Sequence, residues 1–113
     1  MKTKNWIQLI GYLGGDPEIK ECKNGNTLAV FRLATDERLR RSDDENGTES
    51  KYKAVWHNIA VWGKDRIAML DNVINGSHVM VEGKLEYHKY QKADGKMKYI
   101  TEINAFLLTD LDR

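Results

Sequence analysis

The stretch Tyr52–Trp62 alternates between two kinds of residue along its whole length. Val55, His57, Ile59 and Val61 share one parity, and Tyr52, Ala54, Trp56, Asn58, Ala60 and Trp62 share the other. Successive side chains of a strand point to opposite faces, so a period of two is the mark of a strand rather than a helix. The first set predicts a row facing a core. The second places two tryptophans and a tyrosine on the opposite face, with Trp56 and Trp62 roughly 20 Å apart. Flat rings spaced along one sheet face suit an unstacked nucleic-acid strand, because every base has a π-face to lay on them. A strand covered on both sides also carries apolar residues on both, so this strand alone leaves open whether the second face is buried.

The 113 residues suffice for one domain around a single core. With 31% charged and 41% apolar residues the chain reads as globular. No apolar run approaches the ~20 residues of a membrane span, and no signal peptide is evident. Cys22 is the sole cysteine, which excludes an internal disulfide and suits a reducing cytoplasm. A net charge of +1 argues against binding through bulk positive charge and leaves room for a local patch. The charges are in fact clustered. Arg38, Arg40 and Arg41 precede a loop crowded with Asp43, Asp44, Glu45 and Glu49, while Lys84, Lys89, Lys92, Lys96 and Lys98 outnumber Glu86 and Asp94. These basic runs flank aromatics, which favours contact with a polyanion over a merely solvated face.

The remaining pattern is mostly strand. Residues 6–11 are short and apolar, Gly14-Gly15-Asp16-Pro17 reads as a turn, 18–23 as a continuing strand, and Asn24-Gly25 as a hairpin. A strand over 27–35 puts Ala29, Phe31 and Leu33 on one parity. Residues 36–50 have no apolar periodicity and predict a long, mobile loop. Ile67, Leu70, Val73 and Ile74 fall at helical spacing and predict a helix over 65–74, capped by Lys64 or Asp65 and ended by Asn75-Gly76. Strands over 77–90 (Val79, Val81 and Leu85 inward) and 98–108 follow, joined by an Ala93-Asp94-Gly95 turn. The expected architecture is all-β: residues 1–113 form a single OB-fold, a five-stranded Greek-key barrel with one short helix between its third and fourth strands.

Several motifs then align with one family. They are Ile10-Gly11-Tyr12-Leu13-Gly14-Gly15-Asp16-Pro17-Glu18, Leu33-Ala34-Thr35, Trp56-His57-Asn58-Ile59, Trp62-Gly63-Lys64 and Gly76-Ser77-His78-Val79-Met80-Val81-Glu82-Gly83. Their order and spacing over residues 5–105 resemble the bacterial-type single-stranded DNA-binding proteins. The resemblance implies sequence-independent binding and protection of single-stranded DNA in replication, recombination or repair. It also implies a homotetramer, a dimer of dimers whose protomers pair through the first strand, and a nucleoid-associated location. Carried over, Trp56 sits where the family stacks a base, Trp62 where it usually has phenylalanine, Tyr90 where it often has tryptophan, and Lys64 where a lysine contacts DNA. Leu39 stands where an aromatic is frequent; Tyr52, Tyr87 and Trp6 are additional rings that can compensate. Family members carry a flexible tail ending in an acidic, hydrophobic tip that recruits replication proteins. Asp110 and Asp112 do not make such a tip, so tail-mediated recruitment is not expected of this stretch, whether it is part of a longer protein or naturally tailless.

The candidate DNA contacts are therefore Trp56, Trp62 and Tyr90 for bases, with Lys64, Lys84, Lys89, Arg38, Arg40 and Arg41 for phosphates. Arg32 joins them because it lies on the outward parity of its strand. His57 has the inward parity and reads as a core or interface residue. His78 and His88 lack paired ligand spacing and Cys22 has no partner, so no metal or other cofactor is expected. Gly11, Gly14 and Gly15 match neither the dinucleotide fingerprint nor a phosphate loop. Asp16-Pro17 suits a turn. Two other classes stay in view: a nuclease using Asp16, Glu18 or Asp36, and an OB-fold adaptor in a primosome or recombination complex.

Overall fold

The computed structural model describes residues 2–22, 24–38 and 51–112, with the side chain of Tyr90 excepted. Within these residues the strands are β1 (Ile7–Leu13), β2 (Glu18–Glu21), β3 (Thr27–Arg38), β4 (Tyr52–Trp62), β5 (His78–Gln91) and β6 (Met97–Asp110). They lie in one sheet in the order β1-β5-β6-β4-β3-β2, and a second pairing of β1 with β3 closes it. The closing contact is short, Tyr12 with Ala34 and Leu13 with Leu33. β2 takes the neighbouring edge of β3, from Thr27 to Val30. Counted with β1 as one bent strand, it leaves five strands around the barrel, and the parallel pairing of β4 with β6 completes the Greek key. This is the OB-fold expected from the strand pattern, with the short helix after the third barrel strand.

The alternation in β3 and β4 is realised as two faces. Ala29, Phe31 and Leu33 of β3 and Ile59 and Val61 of β4 are buried, and with Leu13, Val79, Val81, Ala105 and Leu108 they fill the barrel. Val55 and His57, of the same parity, are only half-buried, because they lie toward the end of β4 beyond the core. The opposite face is not uniform either. Ala60 is buried where β6 pairs alongside it, while Trp56 is 46% exposed.

Two sequence expectations give way. Only Lys64–Ile67 is α-helical (α1), followed by a 3-10 turn at Ala68–Leu70, instead of one helix over 65–74. Neither Lys64 nor Asp65 caps it: Gly63 holds the N-cap position and no side chain bonds the first turn. Asn72, with φ 67, then turns the chain, so Asn75-Gly76 lies in a separate turn rather than at the helix end. Leu70 and Val73 still reach the core, so the apolar spacing reported which residues plug the barrel end and overstated how regular the backbone is. The predicted loop over 36–50 also begins late. Asp36, Glu37 and Arg38 extend β3 against Ala54, Lys53 and Tyr52, and residues 39–50 lie outside the described residues. The Asn24-Gly25 hairpin holds, with the Cys22 N–H donating to the Asn26 carbonyl at 2.8 Å and Gly25 at φ 84.

β5 and β6 outrun the barrel. β1 accompanies β5 only between Gly83 and His78, and β4 meets β6 only at Ile103 and Asn104. From Glu86 and Glu102 outward the two strands pair, among the described residues, solely with each other, to Gln91 and Met97. Asn5 anchors the root of this ribbon: its side-chain amide donates to the Leu85 carbonyl at 2.8 Å and accepts from the Leu85 N–H at 2.9 Å. Among the described residues no helix is long and apolar enough to cross a membrane.

Leu33, fully buried where β1 and β3 close the barrel, tests this account. Leu33→Ala is expected to cost about 2–5 kcal/mol in urea unfolding; a loss under about 1 kcal/mol would mean that the core is not centred there.

Candidate nucleic-acid interface

A groove of about 1150 Å³ on the barrel is lined by Trp56 and Arg32 together with Tyr99 and Thr101 of β6. The pairing of β3 with β4 builds the part that holds Trp56 and Arg32. It sets Arg32 opposite Asn58 and Ala34 opposite Trp56, so all four side chains lie on one face. The Arg32 guanidinium sits 4.5 Å from the Trp56 ring centroid. A cation stacked on an accessible indole offers a base a flat partner and its phosphate a charge within the same few ångströms. Gly14 makes room for that ring: a Cβ there would overlap the far edge of the indole. On the other side, the Asn58 amide donates to the Thr101 carbonyl at 3.5 Å and ties β4 to β6.

The sequence candidates divide. Trp56 and Arg32 meet in the groove. Trp62 lies on the same strand at its far end, opposite Leu28, half-buried and outside the groove wall. Lys64 opens α1 two residues later and is exposed. Arg38 pairs with Tyr52 where β3 and β4 run out, also exposed. Lys89 lies on the ribbon with its ammonium 5.8 Å from the Tyr99 ring centroid. Lys84 is held by Glu86, Nζ to Oε2 at 3.3 Å, so its charge is partly spent within the protein. The backbone of Tyr90 pairs with Lys98 near the ribbon tip. Arg40 and Arg41 lie outside the described residues.

Sequence reading missed Tyr99 and Lys98, which line the groove, and left Tyr87 as a mere spare ring. Tyr99 and Tyr87 are 69% and 76% exposed, yet both continue the parity of the buried Ile103 and the core-facing Leu85. On parity alone they belong to the core. They are exposed because the ribbon extends past the end of the barrel and nothing among the described residues covers its inner face. Asp16 is bound into a turn, its Oδ1 accepting from the Asn75 N–H at 2.8 Å, which accounts for it without a catalytic role.

A closed barrel with an uncovered aromatic and cationic groove on one face defines an oligonucleotide-binding type of OB-fold. The comparisons narrow the class. The model of the single-strand binding protein family matches residues 4–109, and this chain belongs to that family. It is 33% identical over 100 residues to a single-stranded DNA-binding protein of Rhizobium meliloti (strain 1021), an alignment covering 88% of this chain and 56% of that protein. The chain thus spans about half the length of this curated relative. Among solved structures, the Plasmodium falciparum SSB in complex with ssDNA superposes with a TM-score of 0.71 at 35% identity, covering 92% of this chain and 88% of that one.

Two groups near the groove titrate away from their ordinary values. Burial lowers the pKa of His57 from 6.5, with its Nε2 2.9 Å from the Thr35 hydroxyl. Burial alone would raise the Glu86 carboxyl, but hydrogen bonds from His88, Lys84 and Asn104 and the charge of Lys84 outweigh it and hold it below 4.5. A lowered folded-state pKa means that the unfolded chain takes up the proton first, so stability is full above the ordinary value and falls below it. His57 therefore contributes a loss beginning near pH 6.5 and Glu86 one beginning near pH 4.5. Thermal melts of the His57→Gln variant should show a shallower decline than wild type on going from about pH 7 to about pH 5.5; parallel declines would exclude His57 as the source.

Proposed function

We propose that this chain binds single-stranded DNA without sequence preference, protects it during replication, recombination or repair, and does so without catalysis. The observation that carries this reading is Trp56: an accessible indole with Arg32 stacked on it, in an open groove that Tyr99 also lines. A duplex offers no free base faces to such rings, whereas an unstacked strand does. Membership of the single-strand binding protein family supports it, as do the Rhizobium meliloti relative and the Plasmodium falciparum neighbour, whose names state single-stranded DNA as their ligand. Trp56 is the main stacker in this proposal. Trp62, Tyr90 and Tyr99 extend the track, and Arg32, Lys64 and Lys89, joined by Arg38, Arg40 and Arg41, supply phosphate contacts. Lys84 contributes less because Glu86 already holds it.

Assembly is part of the proposal. β3 takes up only Tyr12 and Leu13 of β1, which leaves much of one strand edge free among the described residues, and Ile10 and Tyr12 are exposed beside it. A free edge with apolar side chains is a template for pairing with a second copy. We take the protein to be a homotetramer built through this strand.

Titration with poly-dT should quench tryptophan fluorescence, and affinity should fall steeply as salt rises. Trp56→Ala should weaken binding by about 1–3 kcal/mol. Gly14→Val, which drives a side chain into the space of the ring, should weaken it in the same direction. Wild-type affinity in both variants would refute the assignment of Trp56. Sedimentation should give four protomers at micromolar concentration; a monomer alone would remove the edge-pairing argument.

A further inference from the structure

Phe106 is 43% exposed, and the barrel does not need it: Ala105 before it and Leu108 after it are the residues of this stretch that fill the core. A β-bulge places it there. Gly83 stands opposite Ala105 and Glu82 opposite Leu107, so Phe106 is the extra residue of β6, with no partner on β5. A bulge bends its strand and re-aims a side chain. Gly83 makes this one possible, because a Cβ there would overlap the Asn104 carbonyl oxygen on the facing strand.

Two further elements converge on the ring. β4 runs parallel to β6 through Ala60 and Asn104, and Trp62 and Phe106 each lie two residues further along, on the parity of that pair. Gly63, at φ 92, then turns the chain into α1. Arg66 of α1 comes back over Phe106, its guanidinium carbon 5.5 Å from the ring centroid. Arg66 is exposed, and among the described residues no carboxylate takes up its charge. Within α1, Lys64 and Arg66 stand against Asp65 alone, so the local charge is positive. A guanidinium over an accessible ring is the same pairing that Arg32 and Trp56 make in the groove. Phe106 does not line that groove. It lies at the Trp62 end of β4, away from Trp56.

We propose that Phe106 and Arg66 form a further subsite for single-stranded DNA, the ring stacking a base and the guanidinium meeting a neighbouring phosphate. The inference rests on the DNA-binding reading above. The pair calls for an occupant with a flat face and a negative charge side by side, which each nucleotide of an unstacked strand supplies. A strand lying on Trp56 reaches Phe106 only by continuing to the Trp62 end of β4. The subsite therefore adds to the length of strand held and leaves the hold on the first bases unchanged.

The test is a tryptophan-fluorescence titration of the full chain with oligo-dT of about 4 and about 16 nucleotides, the lower and upper site sizes of one OB-fold. Phe106→Ala should bind the longer strand about fivefold or more weakly, the lower end of the loss of one base stack, and the shorter strand as wild type does. Arg66→Gln should lower the slope of log affinity against log salt by about 0.7 for the longer strand, the share of one phosphate. Phe106→Trp should keep the affinity and add an indole that the longer strand quenches and the shorter one does not. If F106A does not fold, R66Q and F106W carry the test. Wild-type affinity and salt slope in F106A and R66Q would overturn the subsite, and Trp56→Ala, still weakened, would show DNA binding intact. An equal loss for both lengths would also overturn it. So would a changed number of protomers at unchanged affinity, which would make Phe106 a protein contact. Absence of binding to either strand by wild type would overturn both readings.

Discussion

The antiparallel register of β3 against β4 is the constraint on which the rest depends. It runs unbroken from Leu28 opposite Trp62 to Arg38 opposite Tyr52. Because the side-chain period is two, this single alignment places Phe31, Leu33, Ile59 and Val61 in the barrel and Arg32, Trp56 and Asn58 on its outer face. A slip by one residue would bury a guanidinium and an indole and expose the aliphatic row. Burying the aliphatic side chains, each worth roughly 1.5–3 kcal/mol, therefore also fixes the geometry of the interface. Stability and the proposed binding surface are opposite sides of one strand pair.

The second determinant is length. β5 and β6 are 14 residues each, longer than the strands that accompany them. A two-stranded ribbon has no core of its own. This one is held at its root by Asn5 on Leu85 and by the imidazole between Glu86 and Glu102. Its inner face, which would be barrel interior had the other strands continued, instead presents Tyr87 and Tyr99 to solvent. The groove is thus formed where the closed barrel gives way to an uncovered ribbon, and the polar cluster sits at that junction.

Much of this was legible in the residues. Alternation located the strands, the Asn24-Gly25 and Ala93-Asp94-Gly95 turns separated them, and outward parity pointed to Trp56 and Arg32. The helix was overestimated because Leu70 and Val73 satisfy a helical period while reaching the core through a 3-10 turn and a positive φ at Asn72. Lys84 was counted as a free cation because its salt bridge to Glu86 spans two positions on one strand face, a pairing no composition reveals. Tyr99 was missed for the opposite reason: its parity is that of the core.

By itself the sequence determined which faces each strand has, because a two-residue period is a property of the backbone and needs no partner. It also determined the fold class, through the order of strands, turns and one short apolar plug. Only the tertiary structure decided where the barrel stops, since that depends on which strands lie alongside residue by residue. With it came the exposure of Tyr87 and Tyr99, the half-burial of Trp62, and the meeting of His88 with two carboxylates. Those outcomes are set by neighbours distant in the chain, and burial and charge pairing are properties of neighbourhoods rather than of residues.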